Sequence, residues 1–250
     1  PSPSHIVDLR ANGGSRWLPE ERNRLKREWD LSDKIACWSD WCVTCVTHDG
    51  VEPEKCVVLP PAFTPSPAYG TVEQDYDRDP FTIIFLGTLC IRKGTHDLIE
   101  AVATAARERP VRLVMAGSNQ LNMTKFRGFS DCLEYRGFVP HSELPKLFGT
   151  GNVLAIPSYS EGLPMVQLEA MAAGLPVIRT PNAGNAARDG EEGLVVPAGD
   201  RDALAAAIVR LAGDRDLLRH MSSAARRRVE DFSLDNCARR WRDLIGRLTA

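Results

Sequence analysis

The chain has 250 residues, 43% of them apolar and 26% charged, with a formal net charge of -2 at pH 7. That is enough for one large or two small domains with a sizeable core, and it excludes a disordered chain or a strongly cationic nucleic-acid binder. No apolar run approaches the ~20 residues that span a bilayer, and the start lacks a signal-peptide pattern, so a cytoplasmic setting is expected.

Residues 1–17 are polar, carry Gly13 and Gly14, and read as a loop or a disordered start. Pro rather than Met at position 1 suggests a fragment or a processed chain. Residues 19–29 read as a charged helix and 34–38 as a short strand. Ser39 can cap a following helix that Asp49 and Gly50 end, and 55–59 make a second strand. Three of the seven cysteines, Cys37, Cys42 and Cys45, have the spacing of a plant-type iron–sulfur site, with Cys56 beyond. Residues 39–48 pattern as a helix rather than a cluster-wrapping loop, so buried free thiols are the expectation.

Residues 60–80 are rich in proline and acidic side chains, have no apolar period and read as a linker. They also hold Asp77-Arg78-Asp79, which mimics a D-x-D metal motif. A linker ahead of the first strand is a poor place for the converging oxygens a hard cation needs. After it the pattern is regular. Residues 81–86 form an apolar strand ending at Gly87; Leu98, Ala101, Val102 and Ala105 follow at helical spacing; 111–116 form a strand ending at Gly117. Further strands are expected at 132–135, 153–156, from Val177, and at 193–196. Helices are expected at 142–148, through Leu204, Ile208 and Leu211, and at 234–248. In the last, Leu234, Cys237, Trp241, Leu244, Ile245 and Leu248 make one stripe expected to be buried. The arginines at 226–228, with Arg239, Arg240 and Arg242, read as a solvated helix face or, less simply, a contact with anionic lipid. The alternation implies an α/β, Rossmann-like doubly wound parallel sheet.

Everything turns on PSYSEGLPMVQLEAMAAGLPV, residues 157–177. Pro164 suits a first helical turn, 165–173 are good helix formers, and Gly174 with Pro176 stops them. The loop before this helix falls at the carboxyl end of a strand, where open sheets bind ligands. Free N–H groups and the helix dipole there suit a phosphate. Glu161 before the helix and Glu169 inside it cannot bind the phosphate but can accept from hydroxyl groups. The residues alone therefore suggest a sugar joined through phosphate to a ribose.

GTLCIRKG (87–94), YRGFVPHSELPKLF (135–148), the stretch at 157–178 and DGEEGLVVPAGD (189–200) together resemble the carboxyl-terminal half of retaining glycosyltransferases of the GT-B fold, family 4 type. LSDKIACWSDW and GVEPEKCVVLPPAF resemble the stretch by which that family leaves its amino-terminal domain. The resemblance implies a remnant of that domain at 1–63, a linker at 64–80, a donor-binding domain at 81–232, and a final helix at 233–250 crossing back.

It also implies residue roles. Glu161 contacts the donor sugar and stabilises charge at its anomeric carbon, Glu169 binds the ribose, and Lys93 neutralises the diphosphate. Gly162, Leu163, Met165 and Val166 offer backbone N–H groups, Gly87 lets the chain approach the phosphates, and the main chain near Val139 meets the base. The implied substrate is a nucleoside-diphosphate sugar, with no cofactor, no metal and no nucleic acid. Two departures stand out. Thr88 occupies a position where many members carry Arg, with Arg92 close enough to supply the charge. Residues 182–187 lack the proline and glutamate of the family's G-G-x-P-E segment. Acceptor groups, whether for glycan, lipid or small molecule, normally lie in the domain mostly missing here, so the chain alone is expected to bind donor without transferring sugar. A peripheral membrane contact would belong to the full enzyme. The alternatives are a nucleotide-sugar epimerase or hydrolase of the same fold, or a binding module without chemistry.

Overall fold

The computed structural model describes residues 19–122, 124, 128 and 131–249, and the polar start at 1–17 lies outside them. Helix α1 (Pro19–Leu31) leads to β1 (Ile35–Cys37), α2 (Asp40–His48) and β2 (Cys56–Val58). The two strands pair in parallel as a small sheet of their own. Ser39 caps α2 as expected, accepting from the Cys42 N–H at 3.4 Å.

The stretch read as a linker is packed. It contains a short helix, α3 (Pro67–Gly70), capped by Ser66, and the Tyr69 ring is 1% exposed. Phe63 donates its N–H to the Phe232 carbonyl, and the Gln74 amide reaches the Ala173 carbonyl. Proline content removed any visible period, yet a few aromatic side chains suffice to anchor a segment by burial.

The main sheet comprises β3 (Phe81–Leu86), β4 (Val111–Ala116), β5 (Leu133–Tyr135), β6 (Val153–Ile156), β7 (Val177–Arg179) and β8 (Gly193–Val195), all parallel, in the order β5-β4-β3-β6-β7-β8. The helices between and after them are α4 (Thr95–Ala105), α5 (Leu144–Gly149), α6 (Met165–Ala172), α7 (Arg201–Gly213), α8 (Arg215–Arg228) and α9 (Leu234–Leu248). β3 is apolar but for the buried Thr82, because helices cover both its faces. Phe81, Ile83 and Phe85 join Leu98 and Val102 of α4 and Ile208 and Leu211 of α7 in one core layer. Ile84 turns the other way, with Leu147 and Phe148 of α5 and Leu168 and Met171 of α6.

Two expectations fail at the surface. Most of the α9 stripe is not buried: Leu234, Trp241, Ile245 and Leu248 are exposed, Cys237 is half-buried against the Pro60 carbonyl, and Leu244 is buried. The period shows that one face is apolar, but most of that face is left uncovered by the described residues. The arginines are not simply a solvated face either. Arg226 donates to the carbonyls of Ala172 and Ala173 at the end of α6, each at 2.9 Å, and to Val72 at 2.6 Å. Gly174, at φ 82°, leaves room for this guanidinium, since a Cβ there would stand 2.6 Å from Nε. Arg228 reaches the Ala186 carbonyl and Asp231, and Arg240 the Asp231 carbonyl. A cation at the end of α6 also meets the negative end of its dipole.

Arg226→Met should lower unfolding free energy by about 2–4 kcal/mol, because several half-buried carbonyls lose a charged donor. Urea unfolding with an unchanged m-value would register this. Glu192, 1% exposed, gives a pH test. Burial pushes its carboxyl up, but hydrogen bonds from the Arg188 guanidinium and N–H outweigh that and hold it below the ordinary 4.5. A depressed folded value stabilises the native state above the unfolded value and is lost as pH falls through the folded one. The wild type should therefore lose stability on acidification below about pH 5 more steeply than Glu192→Gln, measured by denaturation at stepped pH.

Candidate functional site

β3 and β6 are sheet neighbours, and the strand order reverses between them, the position at which open α/β sheets form a ligand crevice beyond their carboxyl ends. Two turns meet there. One runs from Gly87 through a 3-10 turn, Ile91–Lys93, and Gly94 into α4; the other runs from β6 through Pro157 and Glu161 into α6. Gly94, at φ 66°, lets them touch, since a Cβ there would stand 2.1 Å from the Pro157 carbonyl oxygen. The Tyr159 N–H donates to the Arg92 carbonyl at 2.8 Å. Behind them Asp97, 3% exposed, accepts from the Tyr159 hydroxyl and from Arg201 Nε, each at 2.7 Å. Burial, then the bond to Asp97, pushes the Tyr159 phenol above its ordinary value and keeps it a neutral donor.

The crevice holds the charges that the motifs predicted. Glu161 Oε1 lies 3.1 Å from Lys93 Nζ and 2.9 Å from Arg92 Nη1, and the same Nη1 donates to the Ser160 carbonyl at 2.7 Å. Gly87, at φ 144°, makes room for the lysine, because a Cβ would sit 2.9 Å from Nζ. Thr88 does not join this group; its hydroxyl pairs with that of Ser118 at 3.0 Å. The cation in this turn besides Lys93 is Arg92, aimed at Glu161.

α6 begins one residue later than expected, with Pro164 at the N-cap and no side chain capping it. Its first N–H groups, those of Met165 and Val166, have no partner within the helix. Val139 is half-buried against the second core layer. Glu169 sits a turn further along α6, and its Oε1 lies 2.9 Å from His141 Nε2. His141 is a residue that pattern reading missed, and its only signal was its place directly after Val139-Pro140. The Tyr69 ring meets it edge-on at 6.5 Å, and burial followed by the Glu169 charge pushes the Tyr69 phenol up to about 12.

The segment at 182–187 wraps the loop without the family's proline or glutamate. The Asn182 carbonyl accepts from the Glu161 N–H at 2.8 Å, and its amide donates to the Tyr159 carbonyl at 3.0 Å. The buried Gln167 side chain ties α6 to Ala183 and Ala187. Of the cysteines with iron–sulfur spacing, only Cys37 is buried; Cys42, Cys45 and Cys56 are half-buried, on α2 and β2. Burial, then the neighbouring Cys56, Cys42 and Cys45, pushes the Cys37 thiol up to about 12. Asp77 pairs with Arg219. Among the described residues, no group of three or more His, Cys, Asp or Glu is placed to hold a metal ion. Among them too, no helix is long and apolar enough to cross a membrane.

Residues 80–214 match the family model for glycosyl transferases group 1. The chain belongs to that family. A D-inositol 3-phosphate glycosyltransferase of Streptomyces coelicolor is 30% identical over 244 residues, covering 88% of this chain and 51% of that protein. One from Paenarthrobacter aurescens is 30% identical over 256 residues, covering 93% and 62%. This group 1 chain thus spans about half the length of the curated relatives it matches. Among solved structures, Anabaena Alr3699/HepE in complex with UDP superposes with a TM-score of 0.72 at 19% identity, covering 92% of this chain and 69% of that one. The apo lipopolysaccharide outer core galactosyltransferase WaaB gives 0.72 at 17%, covering 86% and 62%. Both share the doubly wound parallel fold of GT-B glycosyltransferases.

Gly94→Ala should test the contact between the two turns. A side chain at positive φ, pressed against a carbonyl, should cost about 2–3 kcal/mol in guanidinium unfolding.

Proposed function

We propose that this chain is the donor-binding half of a retaining hexosyltransferase that takes its sugar from a nucleoside diphosphate. The observation that carries the proposal is Glu161, held between Lys93 and Arg92 at the uncapped start of α6. The donor diphosphate would lie on the N–H groups of Gly162, Leu163, Met165 and Val166, with Lys93 and Arg92 offsetting its charge. Glu169 would take the ribose hydroxyls, displacing His141, while Gly87 keeps the approach open and main chain near Val139 meets the base.

In this reading the bond from the anomeric carbon to the phosphate oxygen breaks, its electron pair going to the diphosphate. Glu161 stabilises the resulting oxocarbenium character. An acceptor hydroxyl then bonds to the same face and gives its proton to the leaving diphosphate, so configuration is retained. Cations aimed at the leaving group stabilise the transition state more than the ground state, because negative charge on the diphosphate grows as the bond breaks. Two lysine and arginine heads supply this without a bound metal. The UDP and UDP-glucose complexes of the Anabaena neighbour support a nucleotide-sugar donor. Transfer would need an acceptor-binding half, which sets whether the acceptor is a glycan, lipid or small molecule and whether the whole enzyme touches a membrane. The proposed setting is the cytoplasm.

A thermal-shift titration with UDP, GDP and ADP tests the donor site. A nucleotide at a hundred times its dissociation constant stabilises by about 2.7 kcal/mol. One of the three should stabilise the wild type regardless of chelator, and Lys93→Ala and Glu169→Ala should each weaken it by at least about tenfold, the worth of a charged hydrogen bond. A wild type that responds to none of them, or mutants that respond undiminished, would count against the assignment.

A further inference from the structure

Of three consecutive residues of the amino-terminal part, two reach the loop that carries Glu161 and one reaches the 182–187 segment packed on that loop. Trp41 Nε1 donates to the Ser160 hydroxyl at 3.3 Å, and Asp40 Oδ2 accepts from the Asn185 amide at 2.7 Å. Beside them Ser39, 0% exposed, donates its hydroxyl to the Gly162 carbonyl at 2.6 Å. The packing there is close. A Cβ on Gly162 would meet Cys42 Sγ at 3.3 Å, and one on Gly184, at φ 73°, would stand 2.7 Å from the Gly162 carbonyl oxygen.

Capping α2 needs only the oxygen lone pairs of Ser39, leaving its proton for a second partner. The Gly162 carbonyl takes that proton. In a trans peptide the carbonyl of one residue and the N–H of the next point in opposite directions. A hydroxyl that draws the Gly162 carbonyl toward α2 therefore turns the Leu163 N–H away from it. The same bond restrains the residue next to Glu161, whose own N–H is already fixed by Asn182.

We propose that Ser39 is a positioning residue of the donor site: by holding the Gly162 carbonyl it aims the Leu163 N–H and the Glu161 carboxylate at the bound donor. The inference rests on the donor-site reading for its ligand, but not for its geometry. It makes the segment at 38–42 part of the site's framework rather than a bystander from another domain.

Two measurements on Ser39→Ala, Ser39→Thr and Ser233→Ala separate these points. Ser233 caps α9 with the same 3.4 Å geometry and serves as a control for loss of a cap alone. In amide hydrogen exchange read by mass spectrometry, Ser39→Ala should speed exchange in the fragment spanning 160–168, while Ser39→Thr and Ser233→Ala leave it near the wild type. In calorimetric titration with UDP, GDP and ADP, Ser39→Ala should weaken the bound nucleotide by about three- to tenfold, the worth of one hydrogen bond, with Ser39→Thr restoring it. Unchanged exchange in Ser39→Ala, or equal acceleration in Ser233→Ala, overturns the latch. Faster exchange with undiminished nucleotide affinity overturns its role in binding. A wild type that binds no nucleotide overturns the donor reading and the role in binding, while exchange still decides the latch.

Discussion

Two turns at the carboxyl ends of neighbouring strands must pass within contact distance of one another for this site to exist. β3 and β6 lie side by side, and the turns that leave them, residues 87–94 and 157–164, share one crevice. Gly94 against the Pro157 carbonyl and the Tyr159 N–H on the Arg92 carbonyl set the spacing. Asp97, tied to both Tyr159 and Arg201, braces it from behind. A shift of the α4 turn would carry Lys93 and Arg92 away from Glu161 together.

That spacing sets the electrostatics. Glu161 is mostly shielded from water, so its interactions with Lys93 and Arg92 are less screened than those of surface pairs. The start of α6 contributes a partial positive charge and free N–H groups without any side chain to cap them. Glu161 meets two cations, and Glu169 lies within hydrogen-bond reach of His141.

Much of this was legible in the residues. Each strand of the main sheet lies within a residue of its expected bounds, because a parallel strand covered by helices shows as a mostly apolar run between turn residues. The turns were marked by Gly87, Gly94 and Gly174, which are needed where φ is positive and a Cβ has no room. The motifs singled out Lys93 and Glu161, but not that their side chains meet at 3.1 Å. Harder to see were Tyr69, hidden in a proline-rich stretch, and Arg226, one of a row of arginines of which it is the one turned onto the end of α6. For α9 the pattern misled, since an apolar stripe reports composition of a face and not whether anything covers it.

The sequence by itself determined the class of the sheet, the two turns, the carboxylates at 161 and 169 and the family, because each depends on residues near one another in the chain. Only the tertiary structure decided that Arg92 pairs with Glu161, that His141 stands on Glu169, and that Ser39 reaches Gly162 across 123 positions of chain. Such contacts depend on which way a side chain turns once distant elements have packed. No local period or spacing encodes that direction.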